Sequence, residues 1–152
     1  MSPSKIQTYP ASFSEIPDLV RLEQVFTEYA LSAQAFHYLI QRNKPCVWVA
    51  AQAHRICGDI ILLFFPSKQI TRIYSLVVEP TQRRCGIARA LLNTAERLAL
   101  ENHCPLLRLE VRADNFAARY LYEKADYIYT EYLADFYGKD QAGWQMSKHL
   151  LK

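Results

Sequence analysis

Ser75-Leu76-Val77-Val78-Glu79-Pro80-Thr81-Gln82-Arg83-Arg84-Cys85-Gly86-Ile87-Ala88 is the stretch on which the reading of the fold turns. Leu76, Val77 and Val78 are continuous and apolar, which marks a strand covered on both faces. That strand, read over residues 71–78, stops at Pro80. A helix over residues 84–102 follows, with Ile87, Ala88, Leu91, Leu92, Ala95, Leu98 and Ala99 on one face. Arg83 and Arg84 stand at its start, where cations oppose the helix dipole. Gly86 lets a backbone or ligand approach with no side chain in the way. A phosphate held by the unpaired N–H groups of the first turn resolves the charge conflict. The plainer alternative is a solvated basic helix start with a packing glycine. The pattern is neither a Walker loop nor G-x-G-x-x-G.

Working upstream, residues 5–9 read as a strand and 14–27 as a helix. Ser14 is its expected cap, Pro17 falls in its first turn, and Leu19, Leu22, Val25 and Phe26 form its apolar stripe. Residues 32–41 read as a second helix, stopped before Asn43 and Pro45. Residues 46–51 and 56–65 are two strands of an antiparallel hairpin around Ala53-His54-Arg55. Downstream, 106–112 alternates cleanly: Leu107, Leu109 and Val111 face one way, Arg108, Glu110 and Arg112 the other. Asp114 or Asn115 caps a helix over 116–125. Strands over 127–133 and 143–150 flank a polar loop containing Gly138. The order β-α-α-β-β-β-α-β-α-β-β predicts an α/β (α+β) domain with a mixed sheet.

The chain has 152 residues, 51% of them apolar and 22% charged, which fits one domain over 1–152 and excludes a disordered chain. Its longest apolar run, 60–65, is far too short to span a membrane. Met1-Ser2-Pro3-Ser4-Lys5 has no apolar core behind its lysine, so no signal peptide is read and a cytoplasmic location is expected. The net charge of +3 is scattered, which argues against specific nucleic-acid binding. The cysteines at 46, 57, 85 and 104 form no Cys-x-x-Cys and are expected to be reduced thiols. The histidines at 37, 54, 103 and 149 show no ligand spacing, so no metal is expected.

Three further features can carry chemistry. Glu110, on the polar face of its strand, can take a proton from an amine, directly or through water. It can equally be an ion-pair residue between Arg108 and Arg112. Tyr122 can protonate a leaving thiolate, or simply fill the core at helical spacing. Tyr127, Tyr129, Tyr132, Phe136, Tyr137 and Trp144 can line a groove or pack two strands. A mixture is expected, with Tyr127 and Tyr129 core or half-buried and Phe136 and Tyr137 near a mouth.

Together these pieces resemble the GNAT superfamily of acetyl-CoA-dependent N-acyltransferases. The family's phosphate turn, (Arg/Gln)-x-x-Gly-x-(Gly/Ala), is met by Arg83-Arg84-Cys85-Gly86-Ile87-Ala88. Leu109-Glu110-Val111-Arg112-Ala113-Asp114-Asn115, Ala117-Ala118 and Leu121-Tyr122-Glu123-Lys124 resemble the RimI-like branch, the ribosomal-protein-alanine N-acetyltransferases. So do Phe136-Tyr137-Gly138, Met146 and Leu150. The resemblance runs from the first helix to the last strand and is strongest over 73–125.

The resemblance implies a mostly antiparallel mixed central sheet flanked by helices. It implies that the backbone of Leu76, Val77 and Val78 bonds the pantetheine arm of acetyl-CoA, and that Val77 N–H polarises the thioester carbonyl. Arg83, Arg84, Cys85, Gly86, Ile87, Ala88 and Arg89 would hold the pyrophosphate. Asn115 and Tyr122 would touch the cofactor arm. Glu110 matches the general base and Tyr122 the general acid of direct transfer in a ternary complex. The implied acceptor is a primary amine, first a protein N-terminal α-amine. Next come a small-molecule amine or a lysine side chain, and, in a different class, a non-catalytic acyl-CoA-binding module. No membrane or nucleic-acid partner is implied, and the chain would be a monomer or homodimer. An α-amine near pKa 8 is roughly a tenth neutral at pH 7, whereas a lysine near 10.4 is neutral about once in several thousand. The chain departs from the family at Cys85 and at Asp126, where glycine is frequent. Asp tolerates the positive φ that the latter turn needs. The loop 134–143 lacks the usual Asp-Gly pair, which bears on the acceptor.

Overall fold

The computed structural model describes residues 5–24, 30–82 and 86–151. In chain order these form β1 (Ile6–Pro10), α1 (Ile16–Glu23), α2 (Ala33–Ile40), β2 (Val47–Gln52), β3 (Arg55–Phe65), β4 (Ile70–Val78), α3 (Ile87–Glu101), β5 (Leu106–Arg112), α4 (Phe116–Lys124), β6 (Ile128–Leu133) and β7 (Gly143–His149). The order is the one expected from the sequence. The strands make a seven-stranded sheet in the order β1-β2-β3-β4-β5-β7-β6. Its β4–β5 pair is parallel, while β1–β2, β2–β3, β5–β7 and β6–β7 are antiparallel. Two compact units divide the chain, residues 1–62 with 75–95 and residues 63–74 with 96–152.

In the first unit the β2–β3 hairpin turns through Ala53 and His54, at φ 52° and 64°, with Gln52 opposite Arg55. Both turn residues occupy the left-handed region that a two-residue hairpin loop demands. Helix α1 follows directly on a 3-10 turn over Phe13–Glu15, and it is this turn that a serine caps. Ser12, not Ser14, is extended at φ −114° and ψ 169°, and its N–H donates to Glu15 Oε1 at 2.7 Å. Ser12 and Glu15 have the three-residue spacing of a capping box, which Ser14 lacks. Val25 and Phe26, at the end of the expected stripe, lie outside the described residues. Leu19, Leu22 and Phe36 pack with Val47, Val49, Ile56, Ile61 and Val77 as the core of this unit. Helix α3 begins at Ile87 rather than 84, because Gly86 sits at φ 85°, outside the helical region. Its expected stripe is buried at Ile87, Leu91, Leu92, Ala95, Leu98 and Ala99.

In the second unit β4 pairs with β5 over Ile70–Ile73 against Leu106–Leu109. Strand β5 alternates as read: Leu107, Leu109 and Val111 are buried, while Arg108, Glu110 and Arg112 are half-buried on the other face. Helix α4 ends in a Schellman arrangement. Tyr127 N–H donates to Tyr122 O at 2.9 Å and Asp126 N–H to Glu123 O at 3.0 Å, with Asp126 at φ 71°. The turn expected to tolerate Asp126 does so.

One feature of the first unit contradicts the ordinary rules of burial. Asp59, on β3, is wholly buried, and among the described residues neither carboxyl oxygen has a hydrogen-bond partner. Glu23 is buried too: its Oε2 accepts from Leu31 N–H at 3.1 Å, while Oε1 has no partner among the described residues. Burial pushes the Asp59 carboxyl well above the usual range, and the Glu23 charge adds to the push. A carboxyl raised in the native state adds stability below its unfolded value, near pH 4, and that stability is lost as pH rises through the native value. We therefore expect wild-type stability to fall with rising pH relative to Asp59→Asn, by up to about 1.4 kcal/mol per pH unit across that window. Thermal unfolding of both proteins at several pH values from 5 to 9 checks this; parallel curves would refute it.

Candidate functional site

The sequence placed most candidate residues at two positions, the exit of β4 and the polar face of β5. At the exit of β4, Gly58 sets the spacing. A Cβ at Gly58 would stand 2.7 Å from Val77 O, 3.0 Å from Ile87 Cγ2 and 3.3 Å from Leu91 Cδ1. Only glycine permits β3, β4 and α3 to come this close. Val77 itself is buried, between the half-buried Leu76 and Val78. Strand β4 runs on to Val78 beyond the Ile70–Ile73 ladder with β5.

Glu79 then pins the chain as it leaves the strand. Its N–H donates to Cys57 O at 2.8 Å. Its Oε1 accepts from Arg21 Nη1 at 3.0 Å and from Arg55 Nη2. The carboxylate side chain is only 11% exposed, so the two guanidiniums hold a largely desolvated charge.

Ala90 N–H donates to Gly86 O at 3.0 Å, so Gly86 is the residue flanking the first turn of α3. The N–H groups of Ile87, Ala88 and Arg89 therefore precede the first intrahelical bond and have no acceptor within the helix. Among the described residues a Cβ at Gly86 would meet only Ile6 Cδ1, at 3.6 Å. N–H groups without an acceptor in the helix, behind a positive-φ glycine, are of the kind that can bind a phosphate. Arg83, Arg84 and Cys85 lie outside the described residues.

On β5, Glu110 is held by a residue that sequence reasoning missed. Arg72 Nη2 stands 2.8 Å from Glu110 Oε1, and the Glu110 side chain is 15% exposed. The expected partners on its own strand do not serve. Arg112 turns to Asp114, with Nε 3.1 Å from Oδ1, and to Gln141 Oε1 at 3.2 Å. The reason is the sheet: residues two apart on one strand share a face but are farther apart than neighbours on adjacent strands.

Tyr122 is buried, with its ring edge-on to Tyr127 at 5.8 Å between centroids. Burial, and then the charge of Tyr137, push its hydroxyl far above the usual tyrosine range, so it keeps its proton. Tyr137 is half-buried, and its hydroxyl is pushed up to about 12 by burial and next by Glu110. The structure puts it within the field of Glu110, Arg112 and Arg72. Its ring packs on Gly143, where a Cβ would come within 2.6 Å of Tyr137 Cε2. Tyr127 is buried and Tyr129 half-buried, as read. Asn115 caps α4, its Oδ1 accepting from Ala118 N–H at 3.1 Å, and is exposed. Among the described residues no group of three or more His, Cys, Asp or Glu is placed to hold a metal ion, and no helix is long and apolar enough to cross a membrane.

Residues 16–127 match the family model described as the Acetyltransferase (GNAT) family. An acetyltransferase of Sodalis glossinidius is 43% identical over 54 residues, which are 36% of this chain and 38% of that protein. The match thus spans little more than a third of that curated relative's length. Ard1 from Thermoplasma volcanium is similar at a TM-score of 0.87 and 24% identity, over 97% of this chain and 99% of that one. The ribosomal-protein-S18-alanine N-acetyltransferase of Escherichia coli is similar at a TM-score of 0.82 and 20% identity, over 96% of this chain and 94% of that one. At these identities the likeness is one of fold.

The contact at Gly58 carries a prediction. Gly58→Ala places a methyl group against backbone, which must move to admit it. We expect a loss of about 1–3 kcal/mol, the usual range for overpacking. Urea unfolding monitored by circular dichroism measures it, and an unchanged midpoint would show that Val77 yields freely.

Proposed function

Since this chain belongs to the GNAT family of acetyltransferases, we propose that it transfers an acetyl group from acetyl-CoA to a primary amine, with a protein N-terminal α-amine as acceptor. The observation that carries the reading is Glu110: a largely desolvated carboxylate on the polar face of β5, ion-paired through one oxygen. A buried Tyr122 that keeps its proton accompanies it in the same unit. Residues 1–152 act as one transferase domain.

Acetyl-CoA supplies the acyl group as a thioester. The backbone of Leu76, Val77 and Val78 binds the pantetheine arm as an added strand would. The bare N–H groups of Ile87, Ala88 and Arg89, with Gly86 and the neighbouring Arg83, Arg84 and Cys85, hold the pyrophosphate. Asn115 touches the arm through its amide, and Val77 N–H polarises the carbonyl. Glu110 takes one proton from the amine nitrogen as the N–C bond forms. Tyr122 gives its hydroxyl proton to sulfur as the C–S bond breaks. Glu110 then releases its proton to solvent, and Tyr122 regains one. The net change is amine plus thioester to amide plus thiol. An α-amine asks less of Glu110 than a lysine does, because about a tenth of it is already neutral at pH 7.

Thiol release from acetyl-CoA tests the reading, run against peptides with varied N-termini, lysine peptides, polyamines and amino acids. Release is expected with N-terminal peptides, lowered roughly 10²- to 10⁴-fold by Glu110→Gln. Tyr122→Phe is expected to lower kcat in the same direction. Release confined to small amines would replace the acceptor. Tight acetyl-CoA binding by calorimetry with no release from any amine would replace the enzyme with a binding module.

A further inference from the structure

Glu110 is ion-paired across the sheet, to a residue of β4 rather than of its own strand. Arg72 lies on β4 directly opposite Arg108 of β5 in the parallel ladder. Its guanidinium reaches diagonally to Glu110, with Nη2 2.8 Å from Oε1. The same guanidinium lies over the ring of Tyr74, with its central carbon 5.6 Å from the ring centroid. Tyr74 is two residues along β4 and leaves the same face. Arg72 Nε is buried. The guanidinium is thus held by a ring and a carboxylate. Among the described residues Arg72 is the only ion-pair partner of Glu110, since Arg112 is engaged by Asp114 and Gln141.

We propose that Arg72 is a positioning residue for amine acetylation: it occupies Oε1 of Glu110 and fixes the carboxylate plane, so that Oε2 is the oxygen that takes the amine proton. The proposal rests on the reading of Glu110 as the base. A glutamate side chain otherwise has several rotatable bonds, and its carboxylate samples many directions. A rigid guanidinium fork selects one of them, and a lysine, a point charge on a flexible stem, does so less well. The Arg72 side chain is 36% exposed. An ion pair that is partly open to water adds little to folding stability. Its contribution is orientation, and orientation acts on the rate of a step rather than on binding.

The test uses the full chain, acetyl-CoA and the peptide acceptor that gives the greatest thiol release. Arg72→Gln is expected to lower kcat roughly 10- to 100-fold while KM for acetyl-CoA and peptide stays within about twofold. Arg72→Lys is expected to recover part of the loss. In a Glu110→Gln background, Arg72→Gln is expected to lower kcat no further, because the two act as one unit. A readout independent of turnover is the 13C resonance of the Glu110 side-chain carboxyl, expected to shift in Arg72→Gln. Should Arg72→Gln fail to fold, Tyr74→Leu, which removes the ring support, is expected to lower kcat in the same direction with a smaller change. An unchanged kcat with an unmoved Glu110 resonance overturns the proposal. A raised KM at constant kcat overturns it too, and makes Arg72 an acceptor contact. If Glu110→Gln itself retains full turnover, the base reading falls and takes the proposal with it. If Glu110→Gln is inactive and Arg72→Gln is not impaired, only the proposal falls.

Discussion

At Gly58 the backbone of β3 lies so near Val77 O that a single added carbon would sit 2.7 Å from it. The first unit is organised by that contact. It brings the carbonyl of Val77, the first residue of α3 and the core residue Leu91 against one small residue. Where β4 ends and where α3 starts are therefore set by packing, before any ligand arrives. Glu79, bonded to Cys57 O and to two arginines, then keeps the strand exit from drifting. The N–H groups at the start of α3, which have no acceptor within the helix, are thus placed by the packing of the first unit. A group held in place beforehand costs less to engage, which is what the proposed pyrophosphate site would use.

In the second unit the governing constraint is the pleat of β5. One set of alternating residues, Leu107, Leu109 and Val111, is buried, and the other carries Arg108, Glu110 and Arg112. A slip of one residue in the β5–β7 register would bury the charges and expose the leucines. The register that places Leu109 opposite Met146 also places Glu110 opposite Gln145 and Arg112 opposite Gly143. Gly143 leaves room for the ring of Tyr137, and that ring in turn receives Arg112, whose guanidinium carbon lies 5.5 Å from the ring centroid. The carboxylate with the proposed catalytic role is thus held by the same pairing that builds the core.

Much of this was legible in the residues themselves. Period-two alternation marked β5 to the residue, and the apolar stripe of α3 marked its buried face. Asp126 is a residue that tolerates positive φ, and the Schellman bonds at the end of α4 hold it there at φ 71°. The local errors were local in cause. Ser14 stands nearer the helix, but the value of a cap depends on its own φ and ψ and on a glutamate three residues on, and Ser12 has both. The apolar stripe of α3 does not mark its first residue, which Gly86 sets by interrupting the helical backbone just before Ile87. The partner of Glu110 was out of reach for a different reason. Arg108 and Arg112 are near it in sequence, whereas Arg72 is near it only through the register of two parallel strands, and periodicity carries no information about register. The same holds for the place of Tyr137 beside Glu110, which no pattern along the chain encodes.

The turn at Ala53 and His54 bears on what holds the first hairpin together. Hairpin loops that nucleate on their own use Asn-Gly or Asp-Gly, which enter the left-handed region readily. Here two residues with Cβ atoms are held there, at φ 52° and 64°. The isolated segment has little reason to form this turn. Its strands are instead drawn together by what they bury: Val47, Val49, Ile56 and Ile61 join Leu19, Leu22 and Phe36 in one core. The pairing of strands nearest in sequence therefore depends for its stability on contacts that are distant in sequence. The loop joins the two strands, and the shared core holds them together.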